Sequence, residues 1–127
     1  MQPKLTLRLE FGDDTRIGPG KIRLLELVGE TGSIAAAGRA MGMSYRRAWM
    51  LVDSLNRSFR KPVTRKQPGG KRGGGTWLTP MGKMLVAEYR AMERETVAAG
   101  RLRIRKLQRA LATPQPSRSK RTPRTRR

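Results

Sequence analysis

The sequence has no cysteine and no histidine among its 127 residues. Without cysteine, disulfides and thiolate metal sites are excluded. Without histidine, the commonest general base and metal ligand is missing. Long apolar runs are also absent, and the N-terminus alternates polar and apolar residues instead of offering the apolar core of a secretion signal. Neither a membrane span nor a leader is expected, which points to a soluble, cytoplasmic chain with no membrane partner.

Acidic residues are scarce: nine Asp and Glu stand against 29 Lys and Arg, a formal charge of +20. Such an imbalance calls for a polyanionic partner, with nucleic acid first and an acidic membrane second. The charge is also unevenly placed. Every acidic residue lies at or before Glu95, and the stretches Asn56 to Ala87 and Thr96 to Arg127 carry basic residues alone. One uncompensated run is usually a solvated face; two in so short a chain favour nucleic-acid binding. A chain of this length supports one hydrophobic core, read here as one domain over 1–112 followed by a tail over 113–127.

From Lys4 to Phe11 apolar and polar residues alternate strictly, which predicts a strand with one buried face, closed by the turn residues Gly12-Asp13-Asp14. Pro19 suits the first turn of a helix, and Ile22, Leu25 and Val28, flanked by Leu24, recur at helical spacing to about Glu30. Gly32 supplies a stop and Ser33 the next N-cap. The second helix reaches Met41 with Ile34, Ala37, Gly38 and Met41 on one face. A helical glycine costs about 1 kcal/mol relative to alanine. Gly38 is therefore either an incidental small residue or the site of a helix approaching too closely for a Cβ.

Gly42-Met43 turns the chain and Ser44 caps a third helix, closed by Pro62. Two helices joined by so short a glycine turn outline a helix-turn-helix, whose second helix is offered to the DNA major groove. Within it Tyr45, Ala48, Trp49, Val52, Leu55 and Phe59 share a stripe whose spacing predicts burial, while Arg46, Arg47, Met50, Ser54 and Arg57 lie away from it. The candidate DNA-binding residues are Ser33, Ser44, Tyr45, Arg46, Arg47, Met50, Ser54 and Arg57.

Two short extended pieces, Val63 to Lys66 and Thr76 to Leu78, flank a loop holding five glycines around Lys71-Arg72. A hairpin directly after a recognition helix is a wing, and it adds Arg65, Lys66, Lys71 and Arg72 to the candidates. Thr79-Pro80 starts a last helix in which Leu78, Met81, Leu85, Tyr89 and Met92 recur at three- and four-residue steps. Unbroken to Leu111 it spans about 50 Å. Its stripe is most readily buried against its own copy in a homodimer, with Met81, Leu85, Tyr89 and Met92 at the interface. The alternatives are a helix folded back on its own core, or one broken at Gly100. Beyond Thr113 no apolar group offsets ordering entropy, so the tail is expected to be disordered, its six basic residues forming a phosphate-binding arm.

No nucleotide-binding glycine loop, catalytic carboxylate pair or metal cluster is evident. Gly70-Lys71 is followed by Arg72 instead of Ser or Thr, and Asp13 with Asp14 and Glu93 with Glu95 read as solvated surface charge. The sequence predicts no enzyme, no cofactor and no metal.

The run Gly32 to Trp49, Gly69-Gly-Lys71, Gly73-Gly-Gly75, Leu78-Thr79 and Gly82 resembles the N-terminal domain of the molybdate-responsive ModE-type regulators. The likeness covers roughly Leu5 to Val97, and its Ser-Tyr-x-x-Ala-Trp helix start occurs together with the double glycine cluster. The resemblance implies a winged helix-turn-helix, related to that of LysR-type regulators, that is mainly α with a small β-sheet. It further implies a long C-terminal helix that dimerises and a palindromic operator. Ser44, Tyr45, Arg46 and Arg47 would begin the recognition helix and Lys71 and Arg72 would occupy the wing. Molybdate-sensing members carry two further β-barrel domains where this chain has its basic tail, so no small-molecule effector is expected. The function expected is a sequence-specific transcriptional regulator of duplex DNA; an architectural, nucleoid-associated protein is the alternative and an RNA-binding basic protein a third.

Overall fold

The computed structural model describes residues 2–67 and 75–112. It is mainly helical, with two antiparallel two-stranded sheets, in the order β1 (Leu9–Phe11), β2 (Thr15–Ile17), α1 (Pro19–Thr31), α2 (Ile34–Ala40), α3 (Tyr45–Ser58), β3 (Thr64–Gln67), β4 (Gly75–Leu78) and α4 (Pro80–Arg109). Two compact units result. One is Thr6–Glu93; the other, among the described residues, comprises 2–5 and 94–112.

The expected strand over Lys4 to Phe11 is paired only at its end, where Leu9 faces Ile17 and Phe11 faces Thr15. Residues 4–8 are not strand, and β2 was not foreseen. Alternation reports a buried face, whereas a strand also needs a partner ladder, and three-residue β2 is too short to show a period. Residue 7 is held differently: the Tyr89 hydroxyl donates to the Leu7 carbonyl.

Helix α1 is the centre of the first unit. Ile22 and Leu25 join Ile17, Leu55, Val63, Leu85 and Tyr89 in one cluster, while Leu24, Leu27 and Val28 join Ile34, Ala37, Ala48 and Val52 in another. The predicted caps form: Ser33 Oγ accepts from Ala36 N at 3.0 Å and Ser44 Oγ from Arg47 N at 3.1 Å. Gly32 ends α1 at φ 75° and Gly42 turns between α2 and α3 at φ 72°, the left-handed region that glycine enters without a Cβ penalty. A Cβ on Gly38 would stand 2.9 Å from that of Ala48, so the close-approach reading of this glycine holds.

Strands β3 and β4 pair in the register Thr64↔Leu78, Arg65↔Trp77, Lys66↔Thr76 and Gln67↔Gly75. Helix α4 then starts behind Thr79, whose Oγ1 accepts from Gly82 N at 3.1 Å and donates to the Pro62 carbonyl at 2.6 Å. Gly100 does not break it. Two residues expected at a dimer seam are placed elsewhere: Leu85 and Tyr89 are buried in the chain's own core, with Met81 packed against it. Little of either side chain remains exposed, although both still line an apolar groove with Met81 and Met92. The first turns of α4 thus fold back on the core, and Met92 is half-buried.

Candidate nucleic-acid interface

Helix α3 buries Ala48, Val52 and Leu55 and turns its other faces outward. Arg46, Arg47, Met50 and Arg57 are exposed and Ser54 is half-buried, and with Ser44 and Leu51 they line one open groove of about 400 Å³. The Ser44 hydroxyl accepts the cap hydrogen bond from Arg47 N. Arg57 is held by Asp53, Nε to Oδ2, at 3.0 Å. Arg46 and Arg47 have no carboxylate partner among the described residues. Two adjacent guanidiniums, each with a fork of donors and no internal acceptor, are suited to phosphates or to the acceptor edge of guanine.

The burial expected for Tyr45 and Trp49 is not found: they are 55% and 42% exposed. The space between α3 and its neighbours is too narrow for them. Gly38 and Ala48 meet there in near contact, and the row Ala48, Val52 and Leu55 fills the remaining gap. Tyr45 instead lines a second cleft of about 320 Å³ together with Ser33, Lys66, Gln67, Gly75 and Thr76. The start of α3, the start of α2 and the end of β3 therefore come together at one surface. Ser33, like Ser44, uses its hydroxyl as a helix cap.

The hairpin is tied to this surface by contacts that the sequence reading missed. Asn56 of α3 accepts from Val63 N and Thr64 N at 2.8 and 3.0 Å and donates to Thr64 Oγ1 at 3.0 Å. Thr76 N donates to the Gly32 carbonyl at 2.9 Å, and Leu78 lies against Gly29. The only trace in the sequence is a polar Asn56 one position after core Leu55. Arg65 and Lys66 are exposed, and Lys71 and Arg72 lie outside the described residues.

A second set of unforeseen residues joins α4 to α1. Arg90 donates from Nε and Nη2 to the two Glu26 oxygens, each at 2.9 Å, and from Nη1 to Glu93 at 2.7 Å. The Arg90 hydrogen bonds hold the Glu26 carboxyl below the usual carboxylate range, against the upward pull of partial burial. The Arg90 guanidinium is correspondingly raised, by Glu26 first and Glu93 second. Bidentate geometry and partial burial make this a stronger link than an exposed pair. Its sequence separation of 64 residues explains why no local pattern disclosed it.

Among the described residues no helix is long and apolar enough to cross a membrane, and no group of His, Cys, Asp and Glu is arranged to hold a metal ion. No family model matches the chain. It is 47% identical over 78 residues to the molybdenum-pterin-binding protein MopB of Rhodobacter capsulatus, covering 61% of this chain and 29% of that protein. It is 40% identical over 96 residues to the molybdenum transport protein ModE of Azotobacter vinelandii, 76% of this chain and 35% of the relative. It is 32% identical over 89 residues to the DNA-binding transcriptional dual regulator ModE of Escherichia coli K12, 70% and 34% respectively. These relatives are regulators or binding and transport proteins by name, and the chain spans about a third of their length. The resemblance first read from Gly32 to Gly82 is thereby supported: the chain is similar to the N-terminal part of ModE-type proteins, over most of its own length and about a third of theirs.

Proposed function

We propose that this chain binds double-stranded DNA with sequence preference, as a homodimer, and acts in the regulation of transcription. The observation that carries the reading is the α3 groove, where Arg46 and Arg47, with no carboxylate partner among the described residues, stand exposed beside Met50, Ser54 and Arg57. Arg46 and Arg47 meet base edges in the major groove, where a bidentate contact to guanine is worth about 1–3 kcal/mol of discrimination. Arg65 and Lys66 of the hairpin, together with Lys71 and Arg72 between β3 and β4, meet the flanking phosphates or minor groove. The name of the Escherichia coli relative agrees with this assignment.

The dimer seam is proposed for the later turns of α4. Val97, Gly100, Ile104 and Leu107 alternate at steps of three and four, the spacing of a two-helix seam, and Leu107 is 70% exposed. This replaces the seam through Leu85 and Tyr89, which the core already takes.

Recovery of bound DNA from a random pool tests the reading: an inverted repeat is expected, with half-sites about one helical turn apart or a multiple of it. In competition at rising salt, the selected site should keep a preference of about a thousandfold over random DNA. The +20 charge favours a second reading, an architectural DNA-coating protein. Equal loss of binding on all sequences would establish that reading and remove the first.

A further inference from the structure

Arg90 is placed where α4 leaves the core. Gly82, Leu85 and Tyr89 are buried on that helix, and among its described residues none beyond Tyr89 is buried. Two side chains tie the helix at this point to segments far away in sequence. Tyr89 donates its hydroxyl to the Leu7 carbonyl, and Arg90 grips both oxygens of Glu26 on α1, each at 2.9 Å. Arg23 also donates to that carboxylate, Nη1 to Oε1 at 3.2 Å. Glu26 stands between Leu25, which shares a core cluster with Leu55 of α3, and Leu27, which shares one with Ala48 and Val52 of α3. One helix therefore carries both α3 and the Arg90 link. Apolar burial is non-directional, whereas a planar guanidinium matched to a carboxylate by two parallel hydrogen bonds fixes orientation as well as distance.

We infer that Arg90 is a positioning residue for paired recognition: by clamping α4 to α1 through Glu26 it fixes the direction in which α4 leaves the core, and so sets the half-site spacing that two copies accept. The inference rests on the dimeric duplex-binding reading above, with its seam in the later turns of α4. From residue 90 to residue 107 an α-helix extends about 25 Å, so a swing of about 10° at Arg90 carries the seam by about 4 Å. One base pair moves a half-site by about 3.4 Å and turns it by about 35°. Loosening the clamp is thus enough to blur the register by a base pair. Arg90 need touch neither DNA nor the second copy to act in this way. Its bond to Glu93, at 2.7 Å, has a different consequence, because it stays within α4 and joins no second element.

The test measures equilibrium binding by the full chain, Arg90→Met, Glu26→Gln and Glu93→Gln to a series of duplexes. Each duplex keeps the selected inverted repeat but moves its half-sites apart or together by one or two base pairs, and a single half-site completes the series. Methionine keeps an unbranched stem without the guanidinium. The full chain is expected to prefer its best spacing about tenfold over the neighbouring ones, and Arg90→Met to reduce that preference to about twofold with half-site affinity unchanged. Glu26→Gln should flatten the profile in the same direction, and Glu93→Gln should leave it as it is. Should Arg90→Met fail to fold, the contrast between the two glutamate variants decides. An unchanged profile in Arg90→Met and Glu26→Gln overturns the inference, and so does equal flattening by Glu93→Gln. Equal loss on every spacing and on the half-site also overturns it, leaving the link a role in stability alone. A full chain that binds the repeat more tightly than one half-site, yet accepts all spacings alike, overturns the inference while the dimeric reading stands. No gain of the repeat over one half-site overturns both.

Discussion

A Cβ at Gly82 would overlap the Val63 carbonyl, which is backbone and cannot swing away. The glycine is required there for space, because the Thr79 cap holds the start of α4 against Pro62 and Val63. Gly82→Ala is expected to destabilise the fold by about 1–3 kcal/mol, as overpacking does. Gly100 is the opposite case: a Cβ there meets only Ile104 Cδ1 at 3.7 Å, ordinary contact. Gly100→Ala should stabilise by up to about 1 kcal/mol through helix propensity. Urea unfolding of the two variants should move in opposite directions. Composition cannot tell these glycines apart, since both sit inside one helix and differ only in what a distant segment brings against them.

Glu26 is a further residue whose role is tertiary. Its carboxyl is held below the ordinary range by Arg90, so the folded state binds that proton more weakly than the unfolded chain. The resulting stability is present above the unfolded glutamate value of about 4.3 and is lost as pH falls through the lower folded value. Acid unfolding curves should therefore show the native chain converging on Glu26→Gln below about pH 4 and exceeding it at neutral pH.

Among the elements, α3 carries the proposed reading face and depends on two others for its position. Near contact of Gly38 with Ala48 seats it on α2, and Asn56 fastens it to β3. Arg47→Ala should leave the fold unchanged, since the side chain is exposed and has no carboxylate partner among the described residues, while reducing the preference for the selected site about 5- to 100-fold. Equal weakening on selected and random DNA would reduce Arg47 to a phosphate contact. The helix boundaries were largely legible, because Ser33, Ser44, Thr79 and Pro80 are local signals that act on the nearest turn. The β1–β2 hairpin was not legible, and neither was the exposure of Tyr45 and Trp49. A helical stripe records which residues are apolar, whereas the width of the slot beside it is decided by the neighbouring helix.

For the molecule as a whole, the proposed reading takes its attraction from the charge and its second copy from α4. Removing Thr113–Arg127 deletes six basic residues, and the salt dependence of binding should flatten while the preferred sequence stays the same. Equilibrium binding to the selected site between low and moderate salt measures both. Leu107→Lys, at the proposed seam, should shift the sedimenting species from dimer to monomer and weaken binding to an inverted repeat far more than to one half-site. A monomer in the unsubstituted chain would remove the dimer.

What the sequence determined by itself is what acts over a few residues or over the whole composition. That covers the caps and turns of a helix-turn-helix, the paired extended pieces after it, the long last helix, the exclusion of thiol and imidazole chemistry, and the net charge of +20. Tertiary structure alone decided which apolar residues are used inside. Leu85 and Tyr89 went to the core, while Tyr45, Trp49 and Trp77 remained outside, and Arg90 found Glu26 across 64 positions. The physical reason is that burial and pairing depend on the space and partners that distant segments supply, and no local spacing encodes them.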